Sequence, residues 1–203
     1  MKPLLVLAAF PVVLMGWASC SHSGTGHAAL PDPRAVDKSV PEYKNPFHPS
    51  TYAHFVARKD YRKTYDVYKD DTLLNRQPKK SRKIFVCLDE QRGQYLVDGL
   101  VAMDFPLSSG VKAYPTKTGD YAVISKKEDH TSNLYGKMYD AEGKCINYNA
   151  ESTDPVPEGG RFDGSPMPYW QRLTNAGLGL HVGKVRRHPV SHGCVRLPRN
   201  VAE

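Results

Sequence analysis

Between Ile84 and Val182 strand-like runs succeed one another without an amphipathic helix between them, and this limits the fold most. Ile84–Leu88 is a continuous apolar run, and Gln94–Val97 and Leu100–Phe105 flank Asp98-Gly99. That dipeptide tolerates the left-handed backbone of a two-residue hairpin, so the two runs predict an antiparallel pair. Tyr121–Ile124 and Gly177–Val182 supply further strands. A parallel α/β sheet needs a crossover helix after each strand, and none is encoded. Pro106 and Pro115 mark strand ends or edges, because proline cannot donate to a ladder. The expected architecture is mainly β, a sandwich or barrel with short helices. At 203 residues the chain holds one domain of ordinary size with extensions.

The stretch Gly179–Pro198 gathers unusual chemistry. One cysteine, Cys194, stands among His181, His188 and His192 with Arg196 close by. A thiol becomes a nucleophile when an imidazole takes its proton and positive charge steadies the thiolate. Read as extended chain, 177–183 puts Leu178, Leu180 and Val182 on one face and Gly177, Gly179, His181 and Gly183 on the other. His181 then projects from a face bare of other side chains, where a substrate backbone can approach. In 191–197 the same alternation places His192, Cys194 and Arg196 on one wall. Both His181 and His192 are candidates for the base. Zinc is the rival use of such residues, but no Cys-x2-Cys pair accompanies them, so neither metal nor organic cofactor is expected.

The run Ser191-His192-Gly193-Cys194-Val195-Arg196-Leu197, with His181 upstream, resembles the L,D-transpeptidase (YkuD-type) catalytic domain of bacterial cell-wall enzymes. The similarity reaches back over about residues 82–198, through Pro106-Leu107-Ser108-Ser109-Gly110 and Tyr114-Pro115-Thr116-Lys117-Thr118-Gly119. The resemblance implies an L,D-transpeptidase-type β fold, Cys194 as nucleophile, His181 as general acid and base, and peptidoglycan stem peptides as substrate. Ser191 and His192 take supporting roles, and backbone N–H groups around Gly193 and Cys194 meet the oxyanion. Arg196 pairs with a substrate carboxylate or holds its loop. Val182 follows His181 where many members have glycine, which leaves a backbone carbonyl of Val182 or Gly183 to orient the ring. The expected reaction cross-links the wall through a cysteine acyl-enzyme. Carboxypeptidase trimming and an inactive wall-binding lipoprotein are the alternatives, and a sortase-like reading fits the Ser-His-Gly-Cys run poorly.

The remaining segments are read around this domain. Lys2 followed by the apolar run Leu4–Trp17 is too short to span a bilayer and suits an export leader over residues 1–19. Ala18-Ser19-Cys20 is similar to a lipoprotein signal, with Cys20 carrying a membrane anchor; the protein is then expected in the periplasm or cell envelope. Residues 20–50 hold five prolines and read as an extended tether. Residues 51–81 read as a helical lead-in, with Ser50 as cap and Tyr61, Tyr65 and Tyr68 continuing the helical spacing of Tyr52, Phe55 and Val56. The catalytic domain takes 82–203. Between Ser125 and Asn175 the polar, glycine- and proline-punctuated sequence reads as a long loop or lid. Tyr169 and Trp170 in it are candidate walls of the substrate groove, and Cys145 a candidate disulfide partner for Cys87. The formal charge of +7 comes from dispersed basic runs without a nucleic-acid motif, so an anionic envelope surface is the partner expected, not nucleic acid.

Overall fold

The computed structural model of the chain describes residues 12–16, 32–77 and 81–203. Its first half forms β1 (Val12–Gly16), α1 (Tyr52–Ala57), β2 (Tyr68–Lys69), α2 (Asp71–Leu74), β3 (Arg82–Cys87), β4 (Arg92–Val97), β5 (Leu100–Pro106) and β6 (Gly119–Ala122). The six strands make one sheet in the order β2-β5-β4-β3-β1-β6. The β4–β5 turn has Asp98 at φ 52° and Gly99 at φ 86°, so both turn residues are left-handed as the Asp-Gly pair predicts. The fourth expected strand lies two residues early, at Gly119–Ala122.

The second half forms β7 (Ser125–Lys127), β8 (Thr131–Tyr139), β9 (Cys145–Glu151), β10 (Arg161–Pro166), β11 (Trp170–Arg172), β12 (Gly179–Val182), β13 (Val195–Leu197) and α3 (Arg199–Ala202). A four-stranded sheet in the order β13-β12-β11-β7 packs on the main sheet, and β10-β8-β9 form a separate flap. The shared core is Ile84, Val86, Met103, Phe105, Leu107 and Val123 against Leu180, Val195 and Leu197. Each such side chain contributes about 1.5–3 kcal/mol on burial, which fixes the strands that carry His181 and Arg196. The chain is thus mainly β, a sandwich with short helices.

The outer face of the main sheet is polar and buried. Asp104 Oδ1 accepts from Arg92 Nε at 2.7 Å, and Oδ2 from the hydroxyls of Tyr52 and Tyr61 at 2.7 and 2.8 Å. This network replaces the long helix read from tyrosine spacing. Thr51, not Ser50, caps α1, and the helix ends at Arg58, whose backbone is extended. Tyr61 then turns down to Asp104, whose carboxylate 43 residues downstream sets its position, and Tyr68 joins β2 beside β5.

Other expectations change as well. The tether is packed over residues 32–50: Lys38 Nζ donates to Val56 O, Tyr43 OH to Ala57 O and Asn45 Nδ2 to His54 O. Its remainder, with Cys20, lies outside the described residues. Val12–Gly16 is strand β1, parallel to β3 and antiparallel to β6. The long loop of 125–175 is largely sheet, missed because a flap open to water on a polar face gives no apolar alternation. Cys145 is a free thiol, so the Cys87–Cys145 pairing is not made; the two residues belong to different sheets.

Candidate active site

β12 and β13 run parallel, with Leu180 opposite Val195, His181 opposite Arg196 and Val182 opposite Leu197. Partners in a ladder point to the same face, so Leu180 and Val195 go into the core while His181 and Arg196 go outward. One further step in register sets Cys194 opposite Gly179. The imidazole and the guanidinium therefore share a face, and Cys194, one residue before β13, sits beside them, its thiol bonded by the Gly179 backbone and within reach of the Arg196 charge. Gly179 keeps that face low: a Cβ there would come 2.4 Å from the Trp170 ring and 2.6 Å from Gln171 O.

His181 is 7% exposed, and its Nδ1–H donates to the carbonyl of Val182 at 2.8 Å. The carbonyl can only accept, which fixes the tautomer and leaves Nε2 as proton acceptor. Burial, helped by the charges of Arg196 and His130, pushes the imidazole down to about 4, so it is a neutral base at pH 7. Cys194 is half-buried and its Sγ–H points to Gly177 O at 3.3 Å. Burial raises the thiol, opposed by the Gly179 backbone and the Arg196 charge. The resting pair is thus neutral thiol and neutral imidazole. Arg196 is half-buried over Gly183, and its guanidinium makes no hydrogen bond or ion pair among the described residues.

The segment before Cys194 is held by the two earlier landmarks. Ser108 exchanges backbone hydrogen bonds with Arg196, and Ser109 O accepts from Val190 and Ser191. Thr116 Oγ1 accepts from Gly110 N–H at 2.8 Å and donates to Gly193 O at 2.6 Å. Gly110 has room for nothing larger, since a Cβ would sit 2.1 Å from Tyr114 O and 2.8 Å from Gly193 Cα. Gly193 itself has φ 110°, a conformation that side chains avoid. Ser191 Oγ donates to Cys194 O and accepts from Gly193 N–H at 3.2 Å, closing the loop on itself.

Several candidate residues fall differently from expectation. Alternation holds for Cys194 and Arg196 but breaks at the Gly193 turn. His192 leaves that wall to stack on Tyr135 at 4.4 Å and 18°, with Tyr114 at 4.7 Å. The Gly193 N–H is turned to Ser191, so the free backbone donor beside the sulfur is that of Cys194, which has no acceptor among the described residues. Tyr169 is not a groove wall: its hydroxyl donates to Glu203 at 2.6 Å and Arg199 covers its ring. Trp170 lies beside His181, 6.1 Å between ring centroids, but only 2% is exposed, so it supports the imidazole from within. Sequence reasoning missed Tyr135, brought over the site by the flap, and His130, 5.0 Å from Trp170. It also passed over Gln91, which pins Ser109 through both amide atoms, at 2.9 and 2.8 Å. No local pattern marks these residues, because each acts across a fold contact.

A family model described as YkuD, the L,D-transpeptidase catalytic domain, matches residues 81–203. No curated protein matches the chain. Among solved structures, an L,D-transpeptidase from Mycobacterium smegmatis is 22% identical over 57% of this chain and 48% of its own, at TM-score 0.41. One from Stackebrandtia nassauensis is 21% identical over 74% and 58%, at 0.43. The catalytic domain of the E. faecium L,D-transpeptidase is 28% identical over 60% and 84%, at 0.41. The chain therefore spans only 48% and 58% of the first two of these.

Proposed function

Because the chain belongs to the YkuD family of L,D-transpeptidase catalytic domains, we propose that it forms peptidoglycan cross-links through a cysteine acyl-enzyme. The observation that supports this most is the Cys194 thiol lying against Gly177 and Gly179, at the start of the strand that carries His181, with the imidazole held by Val182 O so that Nε2 is the free base. In the first half-reaction the Cys194 proton passes to His181 Nε2 and the sulfur attacks the carbonyl before the terminal D-alanine of a stem tetrapeptide. The Cys194 N–H receives the developing oxyanion. The C–N bond breaks, and the leaving amine takes the proton from the imidazolium. In the second, an amine of a neighbouring stem attacks the thioester and gives its proton to His181. The thiolate leaves and is reprotonated by that imidazolium. Water in place of the amine gives carboxypeptidase trimming at the same site. Arg196, near the sulfur and unpaired among the described residues, fits a substrate carboxylate.

Incubation with purified disaccharide-tetrapeptides followed by mass spectrometry tests the proposal. Loss of D-alanine with dimer formation is the expected result, and loss alone selects trimming. Cys194→Ala should be inert and His181→Ala slower by about 10²–10⁴-fold; an unchanged substrate with the wild-type protein refutes the assignment. The same reading places the protein in the envelope, exported by its leader and anchored through Cys20. The mass of the N-terminal peptide recovered from envelope fractions decides this, since an unmodified Met1 terminus contradicts export.

A further inference from the structure

The flap carries a feature that the acyl transfer does not use. On β8 the alternate residues Tyr135, Lys137 and Tyr139 share a face, opposite the buried Gly136 and Met138; the extra residues of the flap lie on β9 beside this stretch and on β8 before Gly136. Lys137 lies over the ring of Tyr148 on β9 at 5.5 Å, and Arg161 on β10 over Tyr139 at 4.6 Å. Tyr148 is 67% exposed. The inner end of this strip is Tyr135, stacked on His192 and within the electrostatic reach of Cys194. Lys137 and Arg161 are matched on the same strip by Asp163, which Arg161 binds at 3.2 Å, and by Glu151 opposite Tyr135. Charge thus gives no preference for an anion. Three tyrosine rings, two of them steadied by cations, suit the apolar faces of a neutral sugar.

We propose that this tyrosine strip binds the glycan strand to which the reacting stem peptide is attached, an inference that rests on the function proposed above. Distances agree with it. Three peptide residues lie between the scissile bond and the sugar and span about 10 Å when extended. Tyr135 to Tyr139 covers about 13 Å along β8. A peptide bond placed at Cys194 under Tyr135 therefore delivers the sugar to Tyr139 and Tyr148.

Titration calorimetry of the full chain with disaccharide-tetrapeptide, free tetrapeptide and peptide-free glycan strands tests the strip without relying on turnover. The sugar-bearing peptide should bind about tenfold more tightly than the free peptide. Tyr148→Ala and Tyr139→Ala should each shrink that ratio, and their combination should bring it near one. Tyr148→Phe should preserve it, because the ring and not the hydroxyl makes the contact. Equal affinities for the two peptides, or a ratio untouched by both alanine variants, would overturn the proposal. Sugar-dependent binding without D-alanine release would instead overturn the catalytic reading and leave the strip standing.

Discussion

In the proposed reaction His181 moves the protons, and it also carries a pH signature. Its ordinary imidazole value is 6.5 and burial brings it to about 4. Between those values the unfolded chain binds a proton that the folded chain does not, so stability rises with pH across that window. It is fully present above pH 6.5 and is lost as pH falls toward 4. Denaturant unfolding at a series of pH values checks this, with His181→Gln expected to flatten the slope. The acid limb of kcat/KM should likewise fall near pH 4 and not near the usual histidine range; an acid limb close to 6.5 contradicts a buried base. At this scale the sequence was informative where period two held: alternation puts His181 and Arg196 on outward faces, and the ladder pairs them. His192 was misplaced because Gly193 adopts a positive φ, and one such residue cancels alternation upstream of it.

The element that matters most is the turn leading into β13. It is held from the side by segments 108–111 and 116, which carry no reactive group. Thr116→Val keeps the shape but removes both the donor to Gly193 O and the acceptor for Gly110 N–H. The expected cost is about 1–3 kcal/mol in stability, from the unsatisfied backbone groups. Activity should fall further, by about 10–100-fold, because a misplaced nucleophile loses its attack geometry. Steady-state kinetics beside thermal unfolding separates the two effects; full activity in a folded variant contradicts the bracing role. The landmarks around Pro106–Gly110 and Tyr114–Gly119 were visible in the sequence as motif fragments, but their purpose was not. A brace is a contact between segments some 77 residues apart, and no spacing rule encodes it. The flap was invisible for a related reason, since its strands alternate polar with polar.

At the scale of the molecule, the main sheet is covered on one side by the apolar core and on the other by the lead-in, tied down at Asp104. Arg92 and Asp104 are 2% and 0% exposed. Asp104→Ala leaves the guanidinium buried without its partner and two tyrosine hydroxyls without an acceptor, a loss of about 3–5 kcal/mol. A fall of roughly 10 °C in Tm is expected by scanning calorimetry; a shift within 2 °C or so contradicts the network. Export as proposed would also remove β1 and leave the β3 and β6 edges facing each other. The hairpin and the two-sheet core were legible from apolar runs and Asp98-Gly99, whereas the lead-in was misread because tyrosines at helical spacing serve a distant carboxylate. The proposed reaction requires the sulfur to be acylated with help from the imidazole. Intact-protein mass spectrometry after mixing with tetrapeptide substrate measures that directly. A thioester adduct of the tripeptide acyl group on Cys194, missing in Cys194→Ala and slow to form in His181→Ala, is the result expected. No adduct on the wild-type protein, or one that persists in Cys194→Ala, contradicts the account.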